Sequence, residues 1–80
     1  MTQNQLAAIN ALCTAEGMSR DALDALLRRF RFTGKEPLRD DVFSALKAKP
    51  KPLERKSIYE HLVDKLKDLV HTFDDNMGDL

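Results

Sequence analysis

The sequence has no tryptophan, one cysteine, three glycines, three prolines and no surplus of charge of either sign in its 80 residues. Each scarcity removes a class of protein. A single cysteine, Cys13, cannot close an intramolecular disulfide, so the chain is no disulfide-stapled secreted scaffold and fits a reducing, cytoplasmic setting. Cys13 falls on the apolar side of the first expected helix, where cysteine behaves as a small hydrophobe. Three isolated glycines build no phosphate-cradling loop. Lys plus Arg and Asp plus Glu number 13 each, whereas a dedicated nucleic-acid module ordinarily carries positive charge to displace counterions. Contact with DNA or RNA would have to come from a local patch. No apolar run approaches the roughly 20 residues of a membrane span, and no basic start precedes an apolar stretch as in a signal peptide. The expectation is a soluble chain that is neither membrane-bound nor secreted.

Catalytic constellations are equally scarce. The two histidines, His61 and His71, sit on one expected helix, roughly 15 Å apart along its axis, so they cannot share a metal or a substrate. One cysteine and two distant histidines cannot make a zinc site. Asp40-Asp41 and Asp74-Asp75 are adjacent pairs, and neighbours on a helix point in different directions. Neither has the run of alternating oxygen ligands that a calcium loop needs. The expectation is a non-enzyme with no cofactor and no metal, acting by binding.

What is present is helical patterning throughout. With 42% hydrophobic and 32% charged residues, the chain falls in the globular class. Thr2 with Gln5 three residues later reads as a capping box opening a helix to about Glu16, with Leu6, Ile9, Leu12 and Cys13 on one face. Gly17 ends it. Ser19 caps a second helix, with Met18 and Leu23 as a hydrophobic staple and Leu23, Leu26, Leu27 and Phe30 as its buried stripe. That helix should fail near Phe32-Thr33-Gly34. Pro37 starts a short third helix, with Leu38, Val42, Ala45 and Leu46 on one side. Lys47 to Pro52 carries prolines at positions 50 and 52 and reads as a stiff basic elbow. From Pro52 or Leu53 the longest helix runs to about Asp74, its stripe formed by Tyr59, Leu62, Leu66, Leu69 and Phe73. The predicted fold is all-α: a single domain over residues 1–80, a compact orthogonal four-helix bundle made of a helical hairpin, a short third helix and a long fourth. Its core should contain Leu6, Ile9, Leu23, Leu27, Phe30, Leu46, Leu62, Leu66 and Leu69.

Two basic groups stand out as candidate nucleic-acid contacts. Arg28, Arg29, Arg31 and Lys35, followed by Arg39, gather around the end of the second helix. Lys47, Lys49 and Lys51 run through the elbow toward Arg55 and Lys56. Cations at a helix C-terminus also oppose its dipole, and exposed lysines keep a connector solvated, so each group has a structural use as well. A candidate protein interface lies at Val70, Phe73 and Met77, where the long helix is expected to outrun its shorter neighbours and leave apolar surface open. The competing expectation is that the N-terminal helix folds back over this end.

The segment Gly34-Lys35-Glu36-Pro37-Leu38-Arg39-Asp40-Asp41-Val42, then Ala45-Leu46 and Lys51-Pro52-Leu53-Glu54-Arg55-Lys56, resembles the C-terminal helical region of type I restriction enzyme R subunits. The continuation through Tyr59, Val63-Asp64-Lys65 and Val70-His71-Thr72-Phe73 is similar too, so that about forty of the eighty residues carry the likeness. The resemblance implies a parent with a nuclease, two ATP-driven translocase lobes and a C-terminal helical part that docks the subunit onto its methyltransferase partner. It also implies that this chain is a C-terminal fragment, with neither the nuclease motif nor the phosphate-binding loop of the parent. The first half, with Gln5-Leu6-Ala7-Ala8-Ile9, Gly17-Met18-Ser19 and Leu26-Leu27-Arg28-Arg29-Phe30, is similar to a short helical hairpin of some phage regulators and recombination proteins. The reading that follows is an assembly domain of a restriction complex, with DNA contact through the basic groups as its alternative.

Overall fold

Glycine at a helix end can enter the left-handed region without a Cβ penalty, and the computed structural model shows Gly17 and Gly34 doing so, at φ 65° and 71°. The structure describes the backbone of residues 3–78 and the side chains of residues 3–73. Thr2, expected as a cap, and the side chain of Met77 lie outside the described residues. Helix α1 spans Gln3–Glu16 and α2 spans Arg20–Thr33; α3 spans Arg39–Ala45, a 3-10 turn covers Pro52–Glu54, and α4 spans Arg55–Gly78. Pro52 opens the 3-10 turn, where a missing donor costs nothing. No strand occurs among the described residues, and the fold is all-α with four helices.

Helix directions follow from contacts at the helix ends. Glu16, which closes α1, lies 2.7 Å from His61 in the early part of α4. Arg31, near the end of α2, stands over the ring of Phe73, far along α4. The end of α1 therefore meets the early part of α4, and the end of α2 meets its far part. The segment after Gly34 returns along α4: Glu36 pairs with Lys67 at 2.6 Å, and the Tyr59 hydroxyl donates to the Pro37 carbonyl. It delivers α3 to the early part of α4, where the Phe43 and Tyr59 rings meet edge to face with centroids 6.5 Å apart.

Ile9, Met18, Leu23, Leu26, Leu27, Val42, Ala45, Leu62, Leu66, Leu69 and Phe73 form one buried cluster. The expected core thus holds for Ile9, Leu23, Leu27, Leu62, Leu66 and Leu69. Leu6, Phe30 and Leu46 are only half-buried. In α3 the expected stripe is corrected at its first member. Leu38 is 71% exposed and caps the helix in extended geometry, while Pro37 takes the buried place. The residue before the first helical turn does not follow helical periodicity, so its side chain leaves the stripe.

The α1–α2 turn and the end of α3 are joined through the backbone. Ser19 N–H donates to the Ala45 carbonyl at 2.7 Å, and Lys47 N–H donates to the Gly17 carbonyl at 2.8 Å. These two bonds flank an isolated antiparallel bridge between Met18 and Leu46, which holds Met18 only 1% exposed. Ser19 occupies the N-cap of α2, but its hydroxyl makes no capping bond to a described residue.

Candidate functional site

Consecutive helical residues are about 100° apart, so Arg29 points away from Arg28 and Arg31, which are three residues apart and share one side of α2. Each finds a different partner. Arg28 Nε lies 3.1 Å from Asp24 Oδ2, one turn back. Arg29 Nη1 reaches Asp41 Oδ2 at 3.3 Å, tying α2 to α3. The Arg31 guanidinium stands 5.6 Å from the centroid of Phe73. Lys35 is exposed, and its backbone N–H donates to Thr33 Oγ1.

The elbow lysines Lys47, Lys49 and Lys51 are all exposed. Lys49 does not stand alone. It lines an open cleft of about 340 Å³ with Arg39, Phe43 and Arg55. The structure therefore takes Arg39 away from the first basic group and joins it to the second. Sequence separation hides this, because the 34–38 segment has to run back along α4 before Arg39 faces the elbow.

The candidate protein interface is corrected at Phe73. That ring is 1% exposed and belongs to the core. The Arg31 guanidinium of α2 lies over it. Val70 is half-buried, and it does border an open groove. The groove runs between α2 and α4 and is lined by Phe30, Phe32, Arg28, Arg31 and Val70. Phe32 is 92% exposed, and Leu53 in the elbow is 98% exposed. Periodicity singles out neither, although Phe32 falls off the stripe of Leu23, Leu26, Leu27 and Phe30, which is the available signal.

Burial pushes the Cys13 thiol above its ordinary range, offset only in part by Arg20 and Lys47. The thiolate, the reactive form, is thereby disfavoured. Among the described residues no group of three or more His, Cys, Asp or Glu side chains is placed to hold a metal ion. Nor is any helix among them long and apolar enough to cross a membrane.

Residues 1–73 match the family described as the C terminus of the R subunit of type I restriction and modification enzymes. No curated protein and no solved structure matches the chain. The family match takes in the N-terminal hairpin as well as the second half, so it reaches further than the residues that carry the resemblance, and it covers the segment that is similar to a phage-type hairpin. The chain belongs to this C-terminal family of type I restriction R subunits.

Proposed function

We propose that this member of the C-terminal family of R subunits is a non-catalytic assembly domain, with residues 1–80 acting as one folding unit, that holds its parent against the methyltransferase of the restriction complex. The observation that carries the reading is Phe32. A phenyl ring left 92% exposed forgoes about 1.5–3 kcal/mol of burial, a large fraction of what so small a core can supply. It stands at the rim of a groove whose walls include Val70 and Phe30. An exposed aromatic beside a preformed apolar groove has the features of an interface anchor. Arg28 and Arg31 border the same groove, so it is apolar at its centre and polar at its rim, as interfaces are. The nucleic-acid alternative has less support at α2, because Arg28 and Arg29 are already paired with carboxylates and Arg31 is held over Phe73.

The test is capture of purified methyltransferase by the immobilised chain. Phe32→Ala should weaken capture by about tenfold or more while leaving the thermal melting temperature within about 2 °C, since an exposed side chain contributes little to folding. Equal capture by parent and variant would remove Phe32 from the interface and the reading with it.

A further inference from the structure

We propose that the cleft between α3, the proline elbow and the first turn of α4 binds the phosphate backbone of duplex DNA. This goes beyond the assembly reading and does not rest on it. Three cations from three separate elements line the cleft, Arg39, Lys49 and Arg55, against one carboxylate, Asp40. Three of the other clefts hold as many carboxylates as cations, and in the Phe32 groove Arg28 is paired with Asp24. The one bordered by Arg20 and Arg28, for example, also holds Asp21 and Asp24.

The cations are held ready rather than consumed. Arg39 is stacked 5.5 Å from the centroid of the Tyr59 ring, and Tyr59 is itself anchored by its bond to the Pro37 carbonyl. A guanidinium fixed before binding loses little freedom on meeting a phosphate. Lys49 and Arg55 have no ion-pair partner among the described residues, in contrast to Arg28, Arg29 and Lys67. Pro50 and Pro52 restrict the elbow that presents Lys49.

Helix α4 supplies an independent observation. It begins Arg55-Lys56, and the one acid at this helical start is Glu54 in the 3-10 turn that runs into it. Cations there face the positive end of the helix dipole, an unfavourable arrangement that Glu54 offsets in part. Local rules are broken in this way where a site serves a ligand, and an anion in the cleft would reverse the sign of the interaction. The cleft is open and carries no glycine loop, so it fits singly charged phosphates passing along a surface and not an enclosed nucleotide. Phosphate contacts of this kind set position without reading sequence.

The experiment titrates the isotope-labelled chain with a mixed-sequence 16-base-pair duplex at about 20 mM salt, followed by amide chemical shifts. Shifts should concentrate at residues 39–44 and 49–56. Lys49→Gln with Arg55→Gln, which leaves the Arg39–Tyr59 contact in place, should weaken binding by about tenfold. The single exposed change Lys49→Gln, which cannot disturb the core, should weaken it two- to fivefold. A control pair of equal charge, Arg20→Gln with Lys65→Gln, should stay within twofold. The salt slope should fall by about 0.9 for each cation removed from phosphate contact. Equal weakening by the control pair would reduce the effect to general electrostatics and overturn the proposal. So would inorganic phosphate giving the same shifts at matched phosphate concentration (an adventitious ion only), polyglutamate binding the cleft more tightly than DNA, or no shift at millimolar duplex. None of these outcomes bears on capture of the methyltransferase through Phe32.

Discussion

At the scale of single residues, the two phenylalanines Phe32 and Phe73 set the limits. Both lie toward the distal ends of their helices, yet one is 92% exposed and the other 1%. Phe73 belongs to the buried core and supports Arg31 over its ring. Truncating such a ring removes its transfer free energy and leaves a cavity, so Phe73→Ala should cost about 3–5 kcal/mol. Phe32→Ala should stay within about 0.5 kcal/mol. Urea denaturation of the two variants measures both, and the reverse order would show that Phe73 is not part of the core in solution. Arg28 and Arg29 belong at this scale too. Their exposure was legible in the sequence pattern, but their carboxylate partners, Asp24 one turn away and Asp41 on another helix, differ in kind. The first could be read from four-residue spacing; the second depends on the fold.

At the scale of elements, helix boundaries were the most legible feature because they rest on backbone chemistry. Gly34 ends α2 with φ 71° and donates its N–H to the Phe30 carbonyl. A Cβ built at Gly34 would meet nothing within 4 Å, so substitution incurs conformational strain alone. Gly34→Ala should therefore lower stability by about 1–2 kcal/mol, and D-alanine introduced there by chemical synthesis should restore it. A neutral Gly34→Ala in thermal denaturation would mean that α2 ends differently in solution. The stripes of α2 and α4 were legible for the same reason, since three- and four-residue steps place Leu23, Leu27, Leu62, Leu66 and Leu69 inward. Element reasoning fell short at the junctions. Pro37 in the α2–α3 connection is buried where Leu38 was expected, because residues outside a helix obey the path of the chain and not its period.

At the scale of the whole molecule, the α1–α2 turn and the end of α3 close on each other through main-chain bonds that no side-chain pattern announces. Ser19 and Lys47 donate across this junction to Ala45 and Gly17, and Met18 is sealed beneath it. Bonds that join distant segments over a buried residue open only when the packing between them is lost. The amides of Ser19 and Lys47 should accordingly exchange with solvent deuterium at rates set by global unfolding, and slow in parallel with any stabilising change elsewhere. Rapid exchange at both, alongside protected amides of Leu62 and Leu66, would show the junction to be a separate and weaker unit. The ion pairs of Glu16 with His61 and Glu36 with Lys67 tie the same segments at the exposed rim, where such pairs contribute about 0–1 kcal/mol. The junction bonds and the core, and not these pairs, set the arrangement.

Composition and periodicity by themselves determined that this is an all-α chain of four helices, where most of them stop, and which leucines face inward. Those properties are local. Glycine freedom, proline geometry and the 3.6-residue repeat act within a few residues of the chain whatever surrounds them. The tertiary structure alone decided which ends of the helices meet, and with that the whole distribution of surface. The meeting of the far ends of α2 and α4 placed Arg31 over Phe73 and took that ring out of the expected open face. The return of residues 34–38 along α4 brought Arg39, Lys49 and Arg55 to one cleft and left Phe32 and Val70 beside a groove. Exposure and charge convergence depend on contacts between residues far apart in sequence, and such contacts are settled by the packing of complete faces against one another, which no stretch of the chain encodes alone.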